Sequence, residues 1–144
     1  MIKIKPIDWK LSKMPLNSQI ELIFTLLVIY QLKHFIADFP LQREYMLRKG
    51  IETWDFLLPL SLHCGVHAFG SLMITLWFAP SLWYLAILDF VVHFFVDRVK
   101  ASPSYLGRFN DLSQASFWNI LGLDQMAHHL THIYIIWCIV GTHL

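Results

Sequence analysis

Four apolar runs, each about as long as a membrane is thick, constrain this chain more than any other feature. They cover about residues 20–39, 56–79, 82–99 and 120–140. An α-helix needs roughly 20 residues to cross a hydrocarbon layer about 30 Å thick. Pro40 closes the first run, Pro59 lies in the first turn of the second, and Pro80 ends it. At such places proline costs no interior hydrogen bond. Trp54, Trp77, Trp83, Trp118 and Trp137 fall near the predicted ends, where amphipathic rings prefer the interface. Apolar residues make up 56% of the chain and charged ones 15%, against about 25% charged in soluble domains. Too little polar sequence remains to cover a soluble core. The expected architecture is all-α: an integral membrane four-helix bundle over residues 19–144, antiparallel and up-down-up-down.

Residues 1–18 carry Lys3, Lys5, Lys10 and Lys13 and are expected to form an N-terminal interfacial segment. The run that follows is too long for a signal peptide and no small-residue cleavage site comes after it, so it reads as a retained span. The loops after runs one and three hold Arg43, Arg48, Lys49, Arg98, Lys100 and Arg108. The positive-inside bias then places these loops in the cytoplasm and both termini outside. A formal net charge of +1 offers no basic surface to nucleic acid; the expected partner is the lipid bilayer. Cys64 and Cys138 lie in separate apolar runs and read as buried free thiols.

Ionisable groups inside the runs are few and regularly spaced. His34 and Asp38, His63 and His67, His93 and Asp97, and Asp124 and His128 form one pair per run, each four residues apart. That spacing puts both members on one helix face. The pairs end runs one and three and begin runs two and four, so an antiparallel bundle gathers all eight at one membrane face. A charge at mid-membrane costs about 2.5–3.5 kcal/mol even on insertion scales, so such groups have a reason to be there. Five imidazoles and three carboxylates facing inward are read as a metal site, as in bundles that hold di-iron, di-manganese or zinc centres. One or two divalent ions fit the donor set, and mixed N and O ligands suit zinc, manganese or iron.

Other polar residues flank this stripe. Asp89, four before His93, could extend it one turn deeper, and Lys33 is expected to snorkel or to pair with a carboxylate. His129, His132 and the terminal His143 are read as structural. Gln42, Gln125, Arg43, Arg98 and Lys100 stand just beyond the pairs, placed either to bind an anionic head or to face lipid headgroups. The loop over residues 101–119, with Pro103 and Gly107 as hinges, is read as a lid or an interfacial skirt.

With these residues in hand, a resemblance emerges. The first run reads H-F-I-A-D-F-P-L-Q from His34 to Gln42, the second H-x-x-x-H from His63 to His67. The third reads H-F-F-V-D-R-V-K from His93 to Lys100, and the fourth opens D-Q-M-A-H from Asp124 to His128. Over about residues 25–135 the chain resembles a family of small polytopic bacterial and phage membrane proteins of unknown function. That implies a bacterial inner-membrane protein and no settled activity. More remotely, the layout is similar to membrane-bound metal-dependent hydrolases, which also set His and Asp pairs on transmembrane helices.

Four functions follow as expectations. In the first, a metal-dependent membrane hydrolase acts on a lipid-like or phosphate-ester substrate. His34, Asp38, His63, His67, His93, Asp97, Asp124 and His128 hold the metal, and Asp97 or Asp124 serves as general base. Arg43, Arg98, Lys100, Gln42 and Gln125 bind the anionic substrate. The second is a redox protein with a di-iron or haem centre, His67 pairing with His93 or His128. The third is a proton or metal-ion transporter, and the fourth a non-catalytic accessory protein.

Overall fold

The computed structural model describes residues 15–143. Within them lie four long helices and one short one: α1 (Leu16–Asp38), α2 (Glu44–Leu47), α3 (Leu57–Phe78), α4 (Leu85–Ala101) and α5 (Ala115–Gly141). No strand occurs among the described residues. Helix ends follow the local chemistry. Pro40 comes two residues after α1, and Pro59 sits in the first turn of α3, where its missing N–H is not needed. Pro80 opens a short 3₁₀ turn, Pro80–Leu82, that reverses the chain into α4.

The long helices pack in a closed cycle, α1 on α3, α3 on α4, α4 on α5 and α5 back on α1. Cross-helix partners fix the directions. Asp38 meets His63 and Lys33 meets Ser71; His63 meets Asp97 and Ser71 meets Asp89; Lys100 meets Asp124 and Asp89 meets His132. In each pair one number rises as the other falls, so every neighbouring pair is antiparallel.

One end of the bundle is apolar, built from Leu26, Tyr30, Ile74, Leu85, Ile135 and Ile139 among others. The other end is buried and polar: His34, His63, His67, Asp89, His93, Asp97, Asp124, His128 and His132 are each 5% exposed or less. Large apolar side chains instead cover the outside of all four long helices, including Phe24, Val28, Phe69, Ile87, Phe95 and Leu130. This arrangement inverts that of a water-soluble domain.

Two stretches are long and apolar enough to cross a membrane, Leu16–Asp38 and Trp54–Phe78. The expected third and fourth runs do form helices, but composition sets them apart. With 17 residues, α4 rises about 26 Å at 1.5 Å per residue and contains Asp89, Asp97, Arg98 and Lys100. In α5, the inward stripe of Asp124, His128 and His132 lowers the apolar content. The surface segment expected over residues 1–18 lies mostly outside the described residues; from Leu16 onward it already belongs to α1.

The expected loop over 101–119 is shorter, because α5 begins at Ala115. A Cβ on Gly107 would collide with the Ala101 carbonyl, so the residue serves a close approach of backbones. Asp111 caps a turn by accepting from the Ser113 hydroxyl at 2.7 Å and the Ser113 N–H at 2.9 Å. These bonds hold its carboxyl below the usual carboxylate range. Cys64 is buried as expected, whereas Cys138 is only half-buried.

Candidate metal centre

Spacing by four carries the polar stripe along each helix, and packing stacks the four stripes into three tiers. Asp38, His63, Asp97 and Asp124 form the outer tier, one residue from each long helix. Nε2 of His63 lies 3.1 Å from Asp97 Oδ2 and 3.5 Å from Asp38 Oδ1. Nε2 of His128 lies 3.4 Å from both Asp97 Oδ1 and Asp124 Oδ1.

The middle tier is a ring of four imidazoles, His34, His67, His93 and His128. Adjacent ring centroids are 5.2 Å (His34–His67), 4.0 Å (His67–His93), 4.0 Å (His93–His128) and 5.5 Å (His34–His128) apart. Carboxylate or amide groups orient them. His34 Nε2 lies 3.1 Å from Asp38 Oδ2 and 3.2 Å from Gln125 Oε1, and His67 Nε2 lies 3.0 Å from Asp38 Oδ1. His93 Nδ1–H donates to the Asp89 carbonyl at 3.0 Å.

In the deepest tier, the Lys33 ammonium donates to Asp89 Oδ2 at 2.7 Å, to Ser71 Oγ at 3.1 Å and to His132 Nε2 at 3.1 Å. The Ser71 hydroxyl donates to the same Asp89 oxygen at 2.6 Å.

Two features bear on a metal. Each imidazole in these tiers engages neighbours through one ring nitrogen, while the other is buried without a hydrogen-bond partner. These second nitrogens are Nδ1 of His34, His63, His67, His128 and His132 and Nε2 of His93. Buried polar atoms are rarely left so, and an imidazole held at one nitrogen by a carboxylate while the other is free is how metal-ligating histidines are oriented. Donor atoms within 4.8 Å of one another fall into four groups: Asp38, His63 and His67; His34, His67 and His93; Asp97, Asp124 and His128; and Asp89, His93 and His132. This donor set fits a divalent cation of the zinc, manganese or iron type.

Charge separates the groups. Three of the four carboxylates have a lysine: Lys33 on Asp89 at 2.7 Å, Lys49 on Asp97 at 2.8 Å and Lys100 on Asp124 at 2.9 Å. Among the described residues Asp38 has no lysine within ion-pair distance and meets only the imidazoles of His34, His63 and His67. It is the carboxylate of the cluster that pairs with imidazoles alone.

All eight residues expected as ligands are brought together. Of the five expected to bind substrate, two touch the cluster: Lys100 on Asp124, and Gln125, which donates to Asp124 Oδ2 at 3.1 Å. Gln42 reaches it indirectly, accepting from Lys49 at 3.3 Å. Arg98 is turned away. Its guanidinium donates to the carbonyls of Lys49 (3.2 Å) and Ile51 (2.9 Å) and lies 3.5 Å over the Phe56 ring. Arg43 is exposed. Asp89 and Lys33 occupy the deeper turn and the carboxylate pairing that their spacing allowed. His132, read from sequence as structural, belongs to the deep tier, whereas His129 lies beside it, 2.9 Å from the Gln31 amide. Lys49 had no signal in the sequence beyond being one of several loop cations.

A family model matches residues 23–143, described as a protein of unknown function, DUF3307. The chain belongs to this family. The match covers α1 from Ile23 onward, the other three long helices and every residue of the three tiers, and attaches no activity to them. No curated protein and no solved structure matches the chain.

Proposed function

We propose that this member of DUF3307 is an integral membrane metalloenzyme, a four-span hydrolase of a lipid-like or phosphate-ester substrate at one membrane face. The observation that carries the reading is the ring of four imidazoles, one from each long helix, set against carboxylates and each with one ring nitrogen buried without a hydrogen bond. The apolar exterior and polar interior support placing all four long helices in the bilayer.

Asp38, His63 and His67 would hold a first ion, and Asp97, Asp124 and His128 are the group for a second. A bound divalent ion would polarise the scissile ester and lower the pKa of a water towards about 7. Asp97 is committed on both oxygens, to Lys49, His63 and His128. Asp124 has Oδ2 fixed by Lys100 and Gln125, while its Oδ1, 3.4 Å from His128 Nε2, is buried without a hydrogen bond and is the place to take a proton. We therefore assign general-base duty to Asp124 and positioning to Asp97. Lys100 and Gln125 orient the anionic head, and Arg98 braces the 49–51 segment that carries Lys49.

The competing readings fare less well on geometry. His67 and His93 pack at 4.0 Å, too close to flank a porphyrin between them. A transport path would need polar groups across the bundle, yet below the Lys33–Asp89–His132 tier the interior is the apolar cluster around Leu26, Ile135 and Ile139. Elemental analysis by plasma mass spectrometry of the detergent-purified chain tests the proposal, alongside a His63→Ala, His67→Ala variant. Near-stoichiometric zinc, manganese or iron that the folded variant loses supports the centre. No metal in the parent after reconstitution would refute it.

A further inference from the structure

Polar tiers of this kind need a route for their substrate, and the outside of the bundle has one. Between α4 and α5 lies a cavity of about 310 Å³ with walls from Phe95, Val99, Leu106 and Leu123. That size matches the low end of small-molecule sites. Its lining is apolar apart from two side chains, Lys100 and Asp124. Asp124 is 4% exposed and belongs to the outer tier, so the groove runs from the lateral surface to the buried carboxylates. A smaller pocket under the connection between these helices shares Lys100, Leu106 and Ile120 with it. The neighbouring groove between α3 and α4, lined by Phe69, Ile87 and Phe90 with Trp83 beside it, is apolar throughout and reaches no tier residue.

We infer that the α4–α5 groove binds the hydrocarbon chain of a single-chain anionic amphiphile, an alkyl, acyl or prenyl phosphate, with its headgroup on Lys100 and its ester beside Asp124. The side chain of Lys100 is 32% exposed, and of its three donors one is spent, on Asp124, which leaves two for a headgroup. A carboxylate deep in the groove disfavours an anion lodged past the lysine, so the chain and not the head occupies the apolar walls. The inference rests on the metalloenzyme reading only for the fate of the headgroup. Binding itself needs no metal.

The test is photo-crosslinking of the full chain in phosphatidylcholine nanodiscs with a dodecyl phosphate bearing a terminal diazirine, adducts being mapped by peptide mass spectrometry. Adducts are expected on α4 and α5 peptides bearing Val99, Leu123 and Ala127. Excess dodecyl phosphate should suppress them at least tenfold, while dodecanol and inorganic phosphate should not. Ala127→Trp, which fills the groove, should lower the yield at least tenfold with metal content unchanged, and Val99→Trp serves if that variant misfolds. Lys100→Gln should erase the preference for phosphate over alcohol. Adducts spread evenly over the outer faces of all four helices, or unaffected by either filling variant, would overturn the inference. So would full competition by inorganic phosphate, which would make the headgroup alone the ligand. Loss of metal from the parent with labelling intact would sink the metalloenzyme reading and leave the groove standing.

Discussion

The ammonium of Lys33 in α1 lies 2.7 Å from Oδ2 of Asp89 in α4, with side chains 7% and 0% exposed. These helices stand across the bundle from each other, so this one ion pair ties the diagonal that helix packing leaves open. Removing one partner of a buried pair leaves an uncompensated charge and costs about 3–5 kcal/mol. Lys33→Met should destabilise the protein by that amount, and adding Asp89→Asn should restore most of it. Denaturant unfolding of the two single variants and the double variant in detergent checks this. Additive losses would mean the two groups act independently.

Asp38 has no lysine within ion-pair distance among the described residues, and its carboxylate lies 3.0 Å from His67 and 3.1 Å from His34. Asp38 is proposed as a ligand of the first ion, and replacing even a carboxylate that only orients ligating histidines lowers affinity about 10–100-fold. Asp38→Asn should weaken metal binding at least that much, with helical content intact, in a competition titration against a chelator. If Asp97→Asn loses the metal and Asp38→Asn keeps it, the centre lies instead at Asp97, Asp124 and His128.

Protons compete with metal for imidazole lone pairs, and the ordinary histidine pKa is about 6.5. The sign is fixed: lowering the pH charges the rings and releases the ion. Occupancy measured by elemental analysis should be complete at about pH 8 and fall as the pH is lowered towards about 4. It should recover when the pH is raised again. Full occupancy at about pH 4 would count heavily against histidine ligation.

Arg98 holds the 49–51 segment by two carbonyls while lying over the Phe56 ring. Lysine supplies neither the planar fork nor the stack. Arg98→Lys should cost about 1–3 kcal/mol and free the segment, which trypsin would then cut after Lys49 at least tenfold faster. An unchanged digestion rate would mean that another contact holds the segment.

Leu130 points outward from the middle of α5 and is 56% exposed. In water a lysine there would be harmless; in a bilayer it costs about 2.5–3.5 kcal/mol. Leu130→Lys should cut the amount of chain recovered in the membrane fraction severalfold. Normal accumulation of a soluble variant would remove the case for α5 as a span.

The sequence by itself determined the helices and the inward stripes. Proline position, run length and pairs four apart are properties of one segment at a time, and a helix of 3.6 residues per turn turns such spacing into a face whatever surrounds it. His34 and Asp38, or His93 and Asp97, could therefore be placed before any neighbour was known. Which stripe meets which, and at what depth, was decided only by the tertiary structure. Rotation and sliding of packed helices set the tiers, so His132, four after His128 on the same stripe, met Asp89 and Lys33, while His129, one position off that stripe, did not. Long side chains made the remainder illegible: Lys49 reaches Asp97 from a loop 48 positions away in the chain, while Arg98, adjacent to Asp97, turns to backbone carbonyls. Local spacing fixes a face. A flexible cation finds its partner only once the helices have packed.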